Sequence, residues 1–218
     1  MGIYIFNRNT LRDVLEKTNY EDFGKEVFPA SIRSRHVQMH LFDDYWEDIG
    51  TIRAFYDANL SLAKSSPPFD LTNPDFPIYT HARFLPPSLM ETGVQISSSL
   101  IGDGCRIGKN SVIENSVLGA RCIVGENVRI RNSIVMGSDY YESSGANAGE
   151  KPSIPFGIGN GSQIDGAILD KNCRLGPNVD IRVPAGLADS GDADDVMIRD
   201  GIAVVVKDAT LHEGWKLT

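Results

Sequence analysis

Between Ser99 and Asn132 a 17-residue unit is written twice in succession. Ser99-Leu-Ile-Gly-Asp-Gly-Cys-Arg-Ile-Gly-Lys-Asn-Ser-Val-Ile-Glu-Asn115 is followed directly by Ser116-Val-Leu-Gly-Ala-Arg-Cys-Ile-Val-Gly-Glu-Asn-Val-Arg-Ile-Arg-Asn132. Self-similarity at so short a fixed period marks a solenoid. An aliphatic residue recurs every six positions with one step of five: Ile101, Ile107, Ile113, Leu118, Val124, Ile130. Glycine often follows it (Gly102, Gly108, Gly119, Gly125), and a small or β-branched residue falls four positions after it (Cys105, Ser111, Cys122, Val128). This hexapeptide pattern predicts a left-handed parallel β-helix, with three short strands per triangular coil and the aliphatic residues inside. Asn110 and Asn127 suit corners where φ is positive. One coil cannot bury its apolar face alone, so coils must stack, at about 4.8 Å.

The pattern continues beyond Asn132. Ser133-Ile-Val opens a third unit, and Ala167 to Ile181 forms another. The step from Ser133 to Ala167 is twice the repeat length, one coil plus an equal surplus. The surplus is polar and predicts an excursion over 138–156 in place of one corner, with the coil resuming at Gly157. Ala82 to Ser98 reads as a degenerate first coil, with Val94 and Ile96 inward. Residues 94–183 are therefore expected to hold at least four coils, and Ile158, Ile164, Leu169, Leu175 and Ile181 join the inward set. Cys105, Cys122 and Cys173 share the seventh position of their units, a small inward slot. They read as packing residues, since zinc would want ligands clustered at short spacing.

The N-terminal block follows other rules. Gly2-Ile-Tyr-Ile-Phe6 and Val37-Gln-Met-His-Leu-Phe42 read as strands. Leu11 to Thr18 reads as a helix capped by Asn9 or Thr10. Phe23 to Ile32 reads as helical with an interruption at Pro29. Thr51 to Leu62 is a strong amphipathic helix with Ile52, Phe55, Ala58 and Leu62 inward. This is α/β material with too few strands to bury its helices. It is expected to be the end of a larger domain. Ser65 to Pro87 holds six of the eleven prolines and predicts a stiff linker. The expected organisation is thus mixed: residues 1–64 the C-terminal part of an α/β domain, 65–87 a Pro-rich linker, and 88–218 the β-helix.

Composition bounds the function classes. The 218 residues are 41% hydrophobic and 23% charged, with a formal net charge of −8. That balance argues against general binding to nucleic acid. No apolar run approaches membrane-spanning length and no signal peptide opens the chain, so a cytoplasmic protein with no membrane partner is expected.

Several strings together carry a family resemblance: Met1-Gly-Ile-Tyr-Ile-Phe6, Asp44-Tyr-Trp-Glu-Asp-Ile-Gly-Thr51, Arg83-Phe-Leu-Pro-Pro-Ser88, Met136-Gly-Ser-Asp-Tyr-Tyr141 and Ile198-Arg-Asp-Gly-Ile202. In that order, across essentially the whole chain, they resemble the ADP-glucose pyrophosphorylases, that is, glucose-1-phosphate adenylyltransferases of glycogen and starch synthesis. The resemblance makes residues 1–64 the close of a nucleotidyltransferase domain. It implies ATP and glucose-1-phosphate as substrates, Mg²⁺ as cofactor, a phosphorylated metabolite as effector and assembly as a homotetramer. It makes Asp48 the catalytic residue, beside the sugar phosphate and the metal, with Gly2 and Trp46 at the substrate. A purely local reading of Asp48 is that it caps the helix that follows. The resemblance also makes Lys207 an effector ligand assisted by Arg199, against a local reading as a solvated strand-end lysine. Lys151 falls near a second family lysine, with a spacing to Gly157 that differs by two residues.

The departures matter as much. The family's nucleotide-binding half opens with a Gly-x-Gly-Thr-Arg loop that wraps the triphosphate with backbone amides. The 218 residues contain no such string. Nor do they contain the family's Glu-Lys-Pro segment ahead of Gly-Ile-Tyr. The expectation is a C-terminal portion of the enzyme, inactive alone, supplying the oligomerisation and regulatory β-helix. An alternative is a stand-alone assembly or regulatory module for a full-length paralogue. A hexapeptide-repeat acyltransferase is the remote alternative. Such enzymes use a histidine between coils, and His36, His40, His81 and His212 all lie outside regular coils.

Overall fold

The computed structural model describes residues 3–142, 153–184, 186–190 and 195–217. The chain divides into two compact units, Met1–Asp44 and Tyr45–Thr218.

In the first unit, α1 (Arg8–Lys17) starts at Asn7, whose side chain accepts the Asn9 N–H at 3.0 Å. The cap is therefore Asn7, not Asn9 or Thr10. A π-helical turn (Phe23–Val27) leads into α2 (Phe28–Ser34). Pro29 does not interrupt this segment. It sits in the first turn of α2, which continues directly from the π-helical turn. Tyr4, Phe6, Phe23 and Phe28 pack ring against ring, with Tyr4 and Phe28 centroids 4.2 Å apart. The expected strands at 2–6 and 37–42 do not form among the described residues. A strand needs a hydrogen-bonded neighbour, and no strand is described in this unit. Ile3, Ile5, Met39 and Leu41 are accordingly exposed.

The second unit opens with α3 (Ile52–Leu62), then an irregular Pro-rich segment, then the solenoid. Coil 1 has β1 (Leu89–Met90), β2 (Gln95–Ser97) and β3 (Leu100–Ile101). Coil 2 has β4 (Arg106–Ile107), β5 (Val112–Glu114) and β6 (Val117–Leu118). Coil 3 has β7 (Ile123–Val124), β8 (Arg129–Arg131) and β9 (Ile134–Val135). After the excursion, coil 4 has β10 (Gly157–Ile158), β11 (Gln163–Asp165) and β12 (Ala167–Leu169). Coil 5 has β13 (Arg174–Leu175) and β14 (Asp180–Arg182), then a hairpin of β15 (Val196–Arg199) and β16 (Ile202–Val205), and β17 (Thr210–Leu211) starts the next turn.

The strands sort into three parallel sheets, one per face: β1-β4-β7-β10-β13-β17, β2-β5-β8-β11-β14 and β3-β6-β9-β12-β16, with β15 antiparallel at the end of the third. Partners lie one repeat length apart until the excursion and a double repeat apart across it, as in Val112↔Arg129 and Ile164↔Ile130. The insertion is itself one repeat long, so it leaves the register intact. Isoleucine stacks on isoleucine at 96, 113, 130, 164 and 181. Of the expected inward set, Val94 and Ile101 are partly buried, and all the rest but Ile96 are buried. Ile96, expected inward, is 38% exposed because it lies in the first coil, with no coil below it. All three cysteines are buried and free.

Two details explain the repeat's composition. A Cβ on Gly108 would lie 2.6 Å from the backbone carbon of Gly125 in the next coil, so a side chain there would push the coils apart. Buried serines bridge coils: Ser111 accepts the Val128 N–H at 3.1 Å, and Ser162 accepts the Val179 N–H at 3.2 Å. The φ-positive corners bear out the reading of Asn110 and Asn127, at +56° and +57°.

Helix α3 packs on the outside of the third face. Val117, Ile134, Ile168 and Val204 form an apolar outer column there, and Tyr56 and Leu60 bury against it. The buried stripe centres on Tyr56, Leu60 and Ala63, with Ile52 and Phe55 at its margin, rather than on the expected Ile52, Phe55, Ala58 and Leu62. The Tyr56 hydroxyl donates to the Asn132 carbonyl, and Arg53 donates to the Asp200 carbonyl. Asp200 and Gly201 have φ of +53° and +72°, the conformation of a tight hairpin turn. These contacts draw α3 into the second unit, so the division by compactness falls ahead of the Pro-rich segment where the sequence places the linker.

Each buried aliphatic contributes on the order of 1.5–3 kcal/mol before chain entropy. Val124→Ile should therefore move the melting midpoint by little. Ile164→Asp buries an unpaired charge and should abolish the cooperative transition or lower its midpoint steeply. Gly108→Ala should destabilise despite adding one methyl. Thermal melts followed by circular dichroism check all three, and parent-like melting of Ile164→Asp would refute the inward assignment.

Candidate functional site

Asp48 lies in the loop ahead of α3. Its Oδ1 accepts the Gly50 N–H at 3.1 Å, an Asx turn. The helix cap is the next polar residue: Thr51 Oγ1 accepts the Ala54 N–H at 3.1 Å. The local work is thus divided, with Thr51 capping α3 and Asp48 shaping the turn before it. Asp48 is exposed, and Trp46, two residues before it, is half-exposed. Gly2 and Lys151 lie outside the described residues.

Among the described residues no group of three or more His, Cys, Asp or Glu side chains is placed to hold a metal ion. Mg²⁺ commonly takes one or two carboxylates and fills its shell with phosphate oxygens and water. Asp48, with one oxygen engaged by Gly50, fits a single-carboxylate share of such a site and no more.

A cluster of charged side chains sits at the corner where the excursion departs. Backbone bonds stack this corner in a column. Asn172 N–H donates to the Gly137 carbonyl, and Asp208 N–H to the Lys171 carbonyl. Lys171 and Lys207 therefore occupy equivalent places in successive coils. Both reach Asp139: Lys171 Nζ is 2.7 Å from Oδ1, and Lys207 Nζ is 3.1 Å from Oδ2. Asn172 steadies the arrangement. Its Oδ1 accepts the Asp139 N–H at 2.9 Å, while its Nδ2 donates to Asp208 Oδ1 at 3.0 Å. The hydrogen bonds from Lys171 and Lys207 pull the Asp139 carboxyl down to about 2. The same pairing raises the Lys207 ammonium above its usual value. Two cations on adjacent rungs, both part-exposed, can grip one anionic group between them.

The structure separates the two effector residues named from sequence. Arg199 pairs with Ile202 at the turn end of the β15–β16 hairpin, whereas Lys207 follows Val205 at the other end. The partner it gives Lys207 instead is Lys171. That residue was readable in principle: Lys171-Asn-Cys-Arg-Leu175 and Lys207-Asp-Ala-Thr-Leu211 each place lysine four positions ahead of an inward leucine. The hairpin makes their separation slightly more than a double repeat, which hides the match.

The four histidines are all exposed; His212, expected outside the coils, directly follows β17 and its backbone stacks on Gly176 of coil 5. No described helix is long and apolar enough to cross a membrane.

The depressed Asp139 carboxyl carries a sign. Stability from its ion pairs is fully present above the ordinary value of 3.8 and is lost as pH falls through about 2. Acid titration should show both lysines released in that window, read as a change in their side-chain NMR resonances. In Asp139→Asn the step should vanish.

Residues 83–215 match the GLGC left-handed parallel β-helix domain, and residues 1–65 match the nucleotidyl transferase family. The first match spans the solenoid, from ahead of β1 to beyond β17. The second ends just beyond α3, so the Asp48 loop falls inside it. The coils, the excursion held in register and the long first match agree: the chain belongs to the GLGC left-handed parallel β-helix domain family, with a nucleotidyltransferase segment ahead of the solenoid.

Proposed function

We propose that this chain is the part of a glucose-1-phosphate adenylyltransferase that closes the catalytic domain and carries the assembly and regulatory solenoid. The reaction converts ATP and glucose-1-phosphate to ADP-glucose and pyrophosphate, in glycogen or starch synthesis. One observation carries the reading: a nucleotidyltransferase segment and a GLGC β-helix follow each other in one chain. The docking of α3, which directly follows the Asp48 turn, on the solenoid supports it further.

In this reading Asp48 stands at the sugar-phosphate end of the reaction, with Gly2 and Trp46 at the substrate. Asp48 supplies one carboxylate to Mg²⁺, which when bound offsets charge on the phosphates. Lys207 and Lys171 take a phosphorylated metabolite at the corner, and Arg199 contributes from elsewhere on the hairpin. The triphosphate is cradled by a Gly-rich loop outside these 218 residues. The protein works in the cytoplasm as a homo-oligomer, whose contacts cover the exposed first coil, where Leu89 and Met90 are open to solvent.

The 218 residues alone should release no pyrophosphate from ATP, glucose-1-phosphate and Mg²⁺. Joined to a nucleotide-binding half, they should make ADP-glucose. In that joined enzyme Asp48→Ala should lower turnover far more than it lowers the melting temperature. Lys207→Glu should weaken activation by a phosphorylated metabolite roughly ten- to a hundred-fold, the worth of one charge-assisted contact, with basal turnover little changed. Mg²⁺-dependent turnover by the chain alone would overturn this division of labour. An unchanged activation curve would return Lys207 to the role of a solvated strand-end lysine.

A further inference from the structure

The two corner lysines are already engaged. Asp139 gives one oxygen to each, Oδ1 to Lys171 at 2.7 Å and Oδ2 to Lys207 at 3.1 Å. A carboxylate bridging two ammoniums presents what a phosphate would present, two anionic oxygens on one centre. Asp170 and Asp208 flank the same corner and add their own negative fields at Lys207. An anion that arrives beside Asp139 therefore meets more carboxylates than ammoniums. An anion that replaces Asp139 meets both lysines.

Replacement is mechanically simple. The Asp139 backbone is held by its N–H to Asn172 Oδ1, independently of the carboxylate. The side chain is about one-third exposed, with solvent to turn into. Rotation of one side chain then frees Lys171 and Lys207 without moving the coil or breaking the corner column. Asn172, which also donates from Nδ2 to Asp139 Oδ2 at 3.3 Å, keeps its bond to Asp208.

We propose that Asp139 is a built-in occupant of the corner anion site, an internal carboxylate that a phosphorylated ligand must displace to reach Lys171 and Lys207. The proposal rests on the reading of Lys207 as a phosphate ligand and adds its regulation. Asp139 sets the threshold: the ligand's apparent affinity is reduced by the fraction of molecules in which the carboxylate has swung away. If that fraction is about one-tenth, removing the carboxylate tightens binding about tenfold. The direct consequence is that a variant lacking this carboxylate responds at lower ligand concentration, not that it binds a different ligand.

The test uses the 218-residue chain with inorganic phosphate as probe, titrated by calorimetry at low ionic strength. Asp139→Asn should bind phosphate about tenfold more tightly than the parent, Asp139→Glu should resemble the parent, and Lys207→Gln should weaken binding in both the parent and Asp139→Asn backgrounds. Circular dichroism confirms folding of each variant, and Asp139→Ser replaces Asp139→Asn should the latter not fold. A second readout needs no variant: the Asp139 carboxyl ¹³C resonance of the parent should move towards that of a solvated carboxylate as phosphate saturates. If Asp139→Asn binds no better than the parent while Lys207→Gln still weakens binding, the internal-occupant proposal is overturned and the lysine reading stands. If Lys207→Gln and Lys171→Gln leave phosphate affinity unchanged, or no variant binds phosphate, the lysine reading itself fails and this proposal falls with it.

Discussion

Backbone hydrogen bonding from one coil to the next is the constraint on which the rest of the solenoid depends. Its strands are two to four residues long, too short to stand as isolated pairs. Stacked, an interior strand bonds to one above and one below, and the fixed step puts like positions on the same rung. That is why isoleucine lies on isoleucine and serine hydroxyls meet the amides of the next coil. It is also why glycine stands where carbonyls of successive turns come closest. The excursion respects the same constraint, since an insertion of one whole repeat returns the chain to register.

The solenoid was largely legible because its signal is a period, and a period survives individual substitutions. What escaped were the places where something other than the period decides. The outer column Val117, Ile134, Ile168 and Val204 lies beside the inner ladder in sequence but outside its six-residue step, so the period says nothing of it. A pair such as Ile168-Leu169, buried on both faces, is the trace of a covering element. The covering stripe of α3 differs from the expected one because Tyr56 is amphipathic: its ring packs while its hydroxyl finds a carbonyl on the solenoid corner. The strands expected near the N-terminus failed for a different reason. Alternation states a preference for pairing, and it cannot supply the partner.

The candidate sites follow the same division. Asp48 carries a local role that its surroundings explain, the turn before Thr51. The chemical role proposed for it rests on resemblance alone. The corner cluster is the reverse case. The resemblance names Lys207, assisted by Arg199. The solenoid instead converts a gap of more than two repeats into adjacency and brings Lys171 beside it. The hairpin runs away from the corner before it returns, which puts Arg199 at its turn end.

Helix α3 has a consequence for the order in which the molecule assembles. Rungs of the solenoid close loops only one repeat long, so coils form from near neighbours along the chain. The contact from Arg53 to Asp200 closes a loop of 147 residues. Loop-closure entropy makes the longer loop costlier by about 2 kcal/mol, and the surface that α3 covers is complete only once coils 2 to 5 have stacked. The helix precedes in the chain every coil that it covers, and its full docking surface needs the most distant of them. Until it docks, Ile134 and Ile168 face water, and a nascent chain carries that apolar stripe uncovered for as long as its own C-terminal coils take to arrive.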